Sequence, residues 1–153
     1  MTNTTHNNMK TQIGLIPCCG PKDSNAKTAR ELYTSDLFKK NAEYADNNFD
    51  AWYILSAEYG ILQLHDGVET YDKKLKRGKN EDWSDAVLGD FMTRVVTDFE
   101  GESWEDIEVV FMCGESYRSG WESTLQERFE TSIPMKGLEI GEQKSWLKEQ
   151  NSI

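Results

Sequence analysis

The sequence predicts an α/β fold, in which one domain has a mostly parallel sheet with helices on both faces. Short apolar runs that end at proline or glycine alternate along the chain with amphipathic helical stripes, and this alternation is typical of parallel sheets. The chain has 153 residues and five tryptophans. That length suits one domain with a sizeable core, and the aromatic content argues against a disordered chain.

The first half of the chain contains two predicted strands with one helix between them. Residues 13–16 form an apolar run closed by proline and glycine, which is typical of a buried strand that enters a loop. Ser35 is a candidate helix N-cap, and the apolar residues after it fall at helical steps: Phe38, Ala42, Ala45 and Phe49. The aromatic and branched side chains of residues 51–56 predict a second strand, and Gly60 suggests a turn after it.

The second half contains one more predicted strand and three predicted helices. Residues 63–80 lack clear periodicity, so we expect an excursion from the core there. From Asp82 to a stop at Gly101, a helix is predicted by apolar residues that recur at every fourth position: Val87, Phe91, Val95 and Phe99. Residues 107–112 predict the third strand. The next helix is predicted by residues that share one face: Tyr117, Trp121, Leu125 and Phe129. A last short helix is expected to begin near Gly141.

Together these elements predict a single three-layer, Rossmann-like domain over residues 12–150, with a disordered tail over residues 1–11. Right-handed crossovers between parallel strands bring the carboxyl ends of the strands to one edge of the sheet, where ligands bind in such folds. We therefore expect one site to gather the residues that follow the three strands: Cys18, Cys19, Lys22, Ser56, Glu58, Tyr59, Cys113, Gly114, Tyr117 and Arg118.

The charge balance argues against non-specific binding to nucleic acid or anionic membrane. The 17 Lys and Arg residues stand against 27 Asp and Glu residues, and the formal net charge is -10, whereas such binding needs a positive field. A basic cluster at residues 73–79 is either a phosphate-contacting patch or a solvated excursion. No apolar run approaches the roughly 18 residues of a membrane span. The N-terminus also lacks an apolar signal segment, so we expect a cytoplasmic protein with reduced cysteines.

Two cysteines and two charged side chains are candidates for chemistry. Cys18 and Cys19 follow the first strand, where a thiolate could act as a nucleophile with Lys22 nearby, although free cysteines are usually buried packing residues. Glu58 could act as a general acid or base, or it could be a solvated turn residue. Arg118 could bind a phosphate or carboxylate, or it could form a surface ion pair.

Several familiar kinds of site have no support in the sequence. A zinc site built from Cys18, Cys19, Cys113 and His65 is disfavoured, because zinc ligands are usually spaced C-x₂₋₄-C rather than adjacent. The sequence has no phosphate loop, no dinucleotide fingerprint and no G-x-S-x-G elbow. We therefore expect neither a metal nor a cofactor.

Four motifs in chain order resemble those of a family of small prokaryotic and phage α/β proteins known as a domain of unknown function. They are PCCGPK (residues 17–22), ARELYTSDLF (29–38), LSAEYGIL (55–62) followed by Tyr71-Asp72, and IGEQKSWL (140–147). That family is similar, more distantly, to the bacterial peroxide-stress-resistance YaaA proteins, which are linked to DNA binding and protection. Its opening motif also resembles the core of archaeosine synthase, which works on a 7-deazaguanine base in tRNA. Cys19 stands where the family pattern has serine.

The resemblance and the strand-end residues together suggest an enzyme that processes a nucleobase or nucleoside, free or carried in nucleic acid. Cys18 would be the nucleophile or base anchor, and Glu58 the general acid or base. The expected substrate-binding residues are Lys22, Arg30, Ser56, Tyr59, Gly60, Tyr71, Gly114, Tyr117 and Arg118. The alternatives are a non-catalytic stress-response protein that binds DNA or a small ligand, and an interaction protein with a vestigial pocket. The sequence leaves the choice between Cys18 and Cys19, and the oligomeric state, open.

Overall fold

The computed structural model describes residues 10–18, 28–33, 35–63, 66–67 and 81–152. The strands are β1 (Thr11–Pro17), β2 (Ala51–Ser56), β3 (Gly60–Leu62), β4 (Ile107–Phe111) and β5 (Glu130–Ser132). The helices are α1 (Ala29–Leu32), α2 (Asp36–Asn48), α3 (Glu81–Asp98), α4 (Glu115–Arg118), α5 (Glu122–Gln126) and α6 (Ile140–Asn151). A single 3₁₀ turn, Trp104–Asp106, precedes β4. The class is α/β, as the sequence predicts.

The five strands form one mixed, mostly parallel sheet in the order β3-β2-β1-β4-β5. β1 pairs in parallel with both β2 and β4, and β4 pairs in parallel with β5. Only β3 is antiparallel, and it pairs with β2 at the sheet edge. After β1, the chain adds β2 and β3 on one side of the sheet, and it later adds β4 and β5 on the other side. The strand order reverses between β1 and β4, which makes this the switch point of the sheet.

Successive residues of the central strands contribute to two separate hydrophobic clusters. Ile16, Ile54 and Val110 belong to one cluster, which also holds Phe38 of α2 and Leu147 of α6. Leu15, Leu55 and Phe111 belong to the other, which also holds Phe91 of α3 and Trp121. This alternation follows from the two-residue period of a strand, because neighbouring side chains point to opposite faces of the sheet.

The predicted helices and strands largely match the structure. β2 has the predicted bounds, and α3 and α6 begin within one residue of the predicted positions. Ser35 caps α2 as predicted, because its Oγ accepts a hydrogen bond from the backbone N–H of Phe38 at 3.1 Å. The structure adds three short elements that the sequence analysis did not predict: α1, β3 and β5.

The predicted helix through Tyr117 and Phe129 is wrong in one respect, because the structure divides it into α4 and α5. Gly120 lies between them with a φ of +91°, in the left-handed region where a helix cannot continue. A Cβ at this position would lie 2.6 Å from Oγ of Ser84. The break brings the chain close to α3, and the apolar spacing persists because Trp121, Leu125 and Phe129 all belong to the same cluster.

The predicted excursion at residues 63–80 lies mostly outside the described residues. Of the part that is described, Gly67 forms an isolated antiparallel bridge with Thr28, and the N–H of Ala29 donates to the carbonyl of Asp66 at 2.8 Å. Among the described helices, none is long and apolar enough to cross a membrane.

Candidate functional site

The carboxyl ends of β1 and β4 lie side by side at the switch point. The N–H of Cys18, directly after β1, donates to the carbonyl of Leu55 at 2.9 Å, and the N–H of Met112, directly after β4, donates to the carbonyl of Leu15 at 3.0 Å. Gly114 then begins α4 as its N-cap residue, with an extended backbone. Backbone hydrogen bonds thus hold Cys18 and Met112 at the edge where open α/β sheets bind their ligands, and Gly114 follows Met112 by two residues.

A pocket of about 420 Å³ opens at this point. It is lined by residues from the ends of β1 and β4 and from the first turns of α2, α4 and α6: Pro17, Cys18, Leu37, Gly114, Glu115, Ser116, Tyr117, Ile140 and Gln143. Three of the predicted site residues, Cys18, Gly114 and Tyr117, line it together. The pocket volume falls in the range of about 300–1,000 Å³ that is usual for small-molecule sites.

Cys18 and Tyr117 are in direct contact at this pocket. The Cys18 Sγ lies 3.2 Å from the Tyr117 hydroxyl oxygen, and the same hydroxyl donates to the carbonyl of Cys18 at 3.3 Å. A phenol carries one proton and can both donate and accept. The Tyr117 hydroxyl can therefore donate its one proton to the carbonyl of Cys18 and at the same time accept a hydrogen bond from the thiol.

Trp83 holds Tyr117 from the side of α3. The two rings meet edge to face, with centroids 5.8 Å apart, and the indole N–H of Trp83 donates to the carbonyl of Ser56 at 2.9 Å. The indole N–H of Trp121 donates to the carbonyl of Tyr117 at 2.7 Å. Trp83 and Tyr117 together therefore connect the ends of three strands. Trp83 contacts Ser56 at the end of β2, and Tyr117, which follows β4, contacts Cys18 at the end of β1. The sequence gives no sign of this role for Trp83, because the spacing of a tryptophan on a helix does not distinguish a site residue from a core residue.

Cys113 lies after β4 but differs from Cys18 in its surroundings. It is buried, and burial raises the pKa of its thiol well above the usual range. The two side chains are similarly buried, at 6% exposure for Cys18 and 7% for Cys113, but Cys18 lines the pocket and Cys113 does not. Both cysteines are free thiols. Cys113 therefore fits an inert packing role, and Cys18 is the thiol that a ligand in this pocket would meet.

Ser56, Glu58, Tyr59 and Gly60 build the tight turn between β2 and β3. The buried Ser56 Oγ accepts hydrogen bonds from the N–H groups of Glu58, at 3.2 Å, and Tyr59, at 3.0 Å. Gly60 has a φ of +74°, which glycine adopts at no steric cost. The Glu58 side chain is exposed, and Tyr59 is 40% exposed. The structure connects this turn to the pocket through the contact of Trp83 with Ser56.

The two predicted arginines have acidic partners. Arg118 donates to the carbonyl of Cys113 at 3.3 Å and forms an ion pair with Glu122 at 3.1 Å, so it joins α4 to α5. Arg30 forms a two-pronged ion pair with Asp46, with N–O distances of 3.2 and 2.7 Å.

Arg30 lies at a different cavity from Cys18. Its guanidinium carbon sits 5.5 Å from the ring centre of Trp52, and its hydrogen bonds hold the pKa of the Asp46 carboxyl below the usual value. Arg30 and Asp46 line a separate pocket of about 380 Å³. The structure thus brings Arg118 close to the strand-end site and does not bring Arg30 to it.

The remaining predicted residues lie outside the described part of the chain: Lys22, Tyr71, Cys19, His65 and the basic cluster at residues 73–79. Within the part that is described, no three His, Cys, Asp or Glu side chains are grouped so that they could hold a metal ion.

Ile140 and Gln143 also line the pocket, although the sequence indicates no binding or catalytic role for either residue. Both belong to the IGEQKSWL motif at residues 140–147. Spacing within the motif places them on one face of a helix. Only the fold shows that the start of this last helix meets the end of the first strand.

Comparison with known proteins supports the family and adds no activity. Neither a curated protein nor a solved structure matches the chain. One family model matches residues 13–149, which run from within β1 to within α6. The chain belongs to this family, the family of unknown function DUF6884.

Proposed function

We propose that this protein is an enzyme that processes a nucleobase or nucleoside in the pocket at the switch point. One observation carries the proposal: a small-molecule-sized cavity holds a thiol, Cys18, in contact with a hydroxyl, Tyr117, where the strand order reverses. Ligands of open α/β sheets bind at such points.

The proposal includes a three-layer, Rossmann-like arrangement of the domain. The regular alternation of strand residues between two clusters, one with α2 and α6 and the other with α3 and α5, supports it. In that arrangement helices run antiparallel to the strands, so their first turns border the carboxyl edge of the sheet. The first turns of α2 and α6 do contribute Leu37 and Ile140 to the pocket.

The shape and chemistry of the lining suit a flat, uncharged heterocycle. Pro17, Leu37 and Ile140 offer apolar surface, and Tyr117 offers an aromatic ring. A base can stack on such a ring and exclude water from its faces. The net charge of -10 favours a small ligand over a nucleic-acid duplex.

Cleavage of an N-glycosidic bond gives Cys18 and Tyr117 defined roles. The Cys18 sulfur attacks C1′ of the sugar, the bond from C1′ to the base nitrogen breaks, and the thiol proton passes to the Tyr117 oxygen. Tyr117 donates its own proton to the departing base nitrogen. Water then attacks C1′ of the thioether and releases the sugar, and one proton of the water passes to the sulfur and restores the thiol; the Tyr117 hydroxyl is already restored at the end of the first step. Glu58, the general acid or base expected from the sequence, does not line the pocket, so no step is assigned to it here.

Matched cysteine variants test the proposal. Wild-type protein, Cys18→Ala and Cys113→Ala are titrated calorimetrically with nucleobases and nucleosides, and released base is measured by chromatography. We expect at least one nucleoside to bind wild type and Cys113→Ala, and Cys18→Ala to lose turnover with its melting temperature nearly unchanged. Turnover that survives in Cys18→Ala would contradict the role of the thiol. Salt-sensitive binding to duplex DNA alone would instead favour a non-catalytic, YaaA-like role.

We propose further that the motifs reflect a distant relation of this family to YaaA proteins and archaeosine synthase, and a phage or prokaryotic origin. Such a relation would favour the same ligand class. The proposal places the protein in the cytoplasm, because a reducing compartment keeps the Cys18 thiol available.

A further inference from the structure

We infer that Gln143 recognises the polar edge of the ligand's ring and so determines which ring the pocket accepts. The inference rests on the proposed function, because it concerns the same pocket. Gln143 lies in the first turns of α6 and lines the cavity together with Cys18 and Tyr117. Its side chain is partly buried.

The side-chain amide of Gln143 is held in one orientation. Its Nε2 donates to the carbonyl of Leu138 at 3.0 Å. An amide nitrogen carries two N–H groups, so this bond leaves one N–H and the oxygen Oε1 for a ligand. The oxygen and the remaining N–H belong to one planar group. An amide oxygen and N–H can pair with a ring edge that presents an adjacent donor and acceptor, which is how glutamine recognises adenine.

The start of α6 supports this side chain rigidly. The backbone N–H of Gln143 donates to the carbonyl of Glu139 at 2.8 Å, and the N–H of Glu139 donates to the Glu142 carboxylate at 3.0 Å. One turn further along, Leu147 is fully buried in the cluster that also holds α2. A recognition group is most selective when its own supports are fixed in this way.

Ile140 supplies the apolar surface beside the amide. It is 63% exposed and lines the open cavity. A flat ring seated against Ile140 and Leu37 would cover this apolar surface and bring its edge to Gln143. The ligand class that follows is an uncharged planar heterocycle with an adjacent hydrogen-bond donor and acceptor.

Two substitutions at Gln143 test the inference, with Gln150 as the matched control. Gln150 lies on the same helix, seven residues further along, and is not part of the pocket lining. Gln143→Met keeps the length of the side chain and removes both polar groups. Gln143→Glu replaces the donor with a second acceptor. The probes are adenosine, guanosine, cytidine and uridine, titrated calorimetrically into the full chain.

For each nucleoside that binds wild-type protein, we expect Gln143→Met to lower the binding affinity by at least about five-fold. Gln143→Glu should raise the affinity for guanosine relative to adenosine, because only guanine presents two adjacent donors, N1–H and N2–H₂. Gln150→Met and Gln150→Glu should change affinity by less than about two-fold.

The failure of this inference differs from that of the proposed function. Gln143 variants that behave like the Gln150 variants would overturn the role of Gln143 and leave the pocket assignment standing. A wild-type protein that binds none of the four nucleosides would overturn both. If Gln143→Met does not fold, as judged by its melting curve, Gln143→Asn serves in its place, since it keeps the amide but moves it back by one methylene.

Discussion

Gly14→Ala tests how closely β1 and the end of α2 approach each other. Gly14 lies in the centre of the sheet, where it pairs with Trp52 of β2 and Val110 of β4. A Cβ at this position would lie 2.3 Å from Cδ2 and 2.5 Å from Cε2 of the Phe49 ring. Since carbon atoms pack at about 3.5 Å or more, the ring would have to move by roughly 1 Å.

The Phe49 ring is partly buried against the core and also borders a cavity of about 430 Å³, so a shift would cost it contacts on its packed side. Its backbone N–H donates to the carbonyl of Ala45 at 3.0 Å, which ties the residue to the end of α2. Its ring meets the Tyr44 ring edge to face, with centroids 5.6 Å apart. Overpacking of this kind costs about 1–3 kcal/mol. For a domain of this size, a loss of about 2 kcal/mol lowers the melting temperature by about 4–8 °C.

Urea unfolding followed by fluorescence measures this loss, with Gly89→Ala as the matched control. Gly89 is exposed in α3, and a Cβ there meets no atom within 4 Å. Alanine in a helix is favoured over glycine by about 0.5–1 kcal/mol, so this control should gain stability. The two substitutions are therefore expected to have opposite signs. A Gly14→Ala protein as stable as wild type would refute the close packing of Phe49 on β1.

Three further predictions concern single side chains. Cys113→Ala should remove part of the stability loss above about pH 8.5, because the unfolded thiol ionises there while burial keeps the folded one protonated; parallel pH curves for variant and wild type would contradict this. Asn41→Leu should stabilise the protein by about 1 kcal/mol in urea unfolding, because neither polar atom of this buried amide has a hydrogen-bond partner among the described residues; a loss of stability would show that the amide is satisfied. Tyr117→Phe should cost about 1 kcal/mol through the lost contacts to Cys18 and should also abolish turnover; full turnover would exclude the hydroxyl as the proton carrier.

The regular elements could be predicted because their signals are local. The aromatic and branched run of β2, the Ser35 cap and the four-residue apolar period of α3 each depend on neighbouring residues alone. The short elements β3 and β5 have three residues each and depend on pairing with strands that are already in place. The division of one predicted helix at Gly120 depends on its approach to Ser84, which is distant in sequence.

The sequence predicts the site residues that follow the parallel strands, and it does not predict those that the helices contribute. Parallel strands place Cys18, Gly114 and Tyr117 at one edge, and the structure brings these three together. Gln143 and Trp83 come from helices, and no local pattern indicates that α6 and α3 reach this edge. Arg30 was expected at the same site. In the structure it forms an ion pair with Asp46 at a separate cavity instead.

The most direct test of the account is to map nucleoside binding residue by residue with two-dimensional amide NMR on the full chain. If the pocket at the switch point is the ligand site, titration should shift the signals of Gly114, Tyr117 and Gln143 first, and Cys18→Ala should reduce these shifts. Shifts centred on Arg30 and Asp46 at the second pocket, or no shifts with any of the four nucleosides, would contradict it.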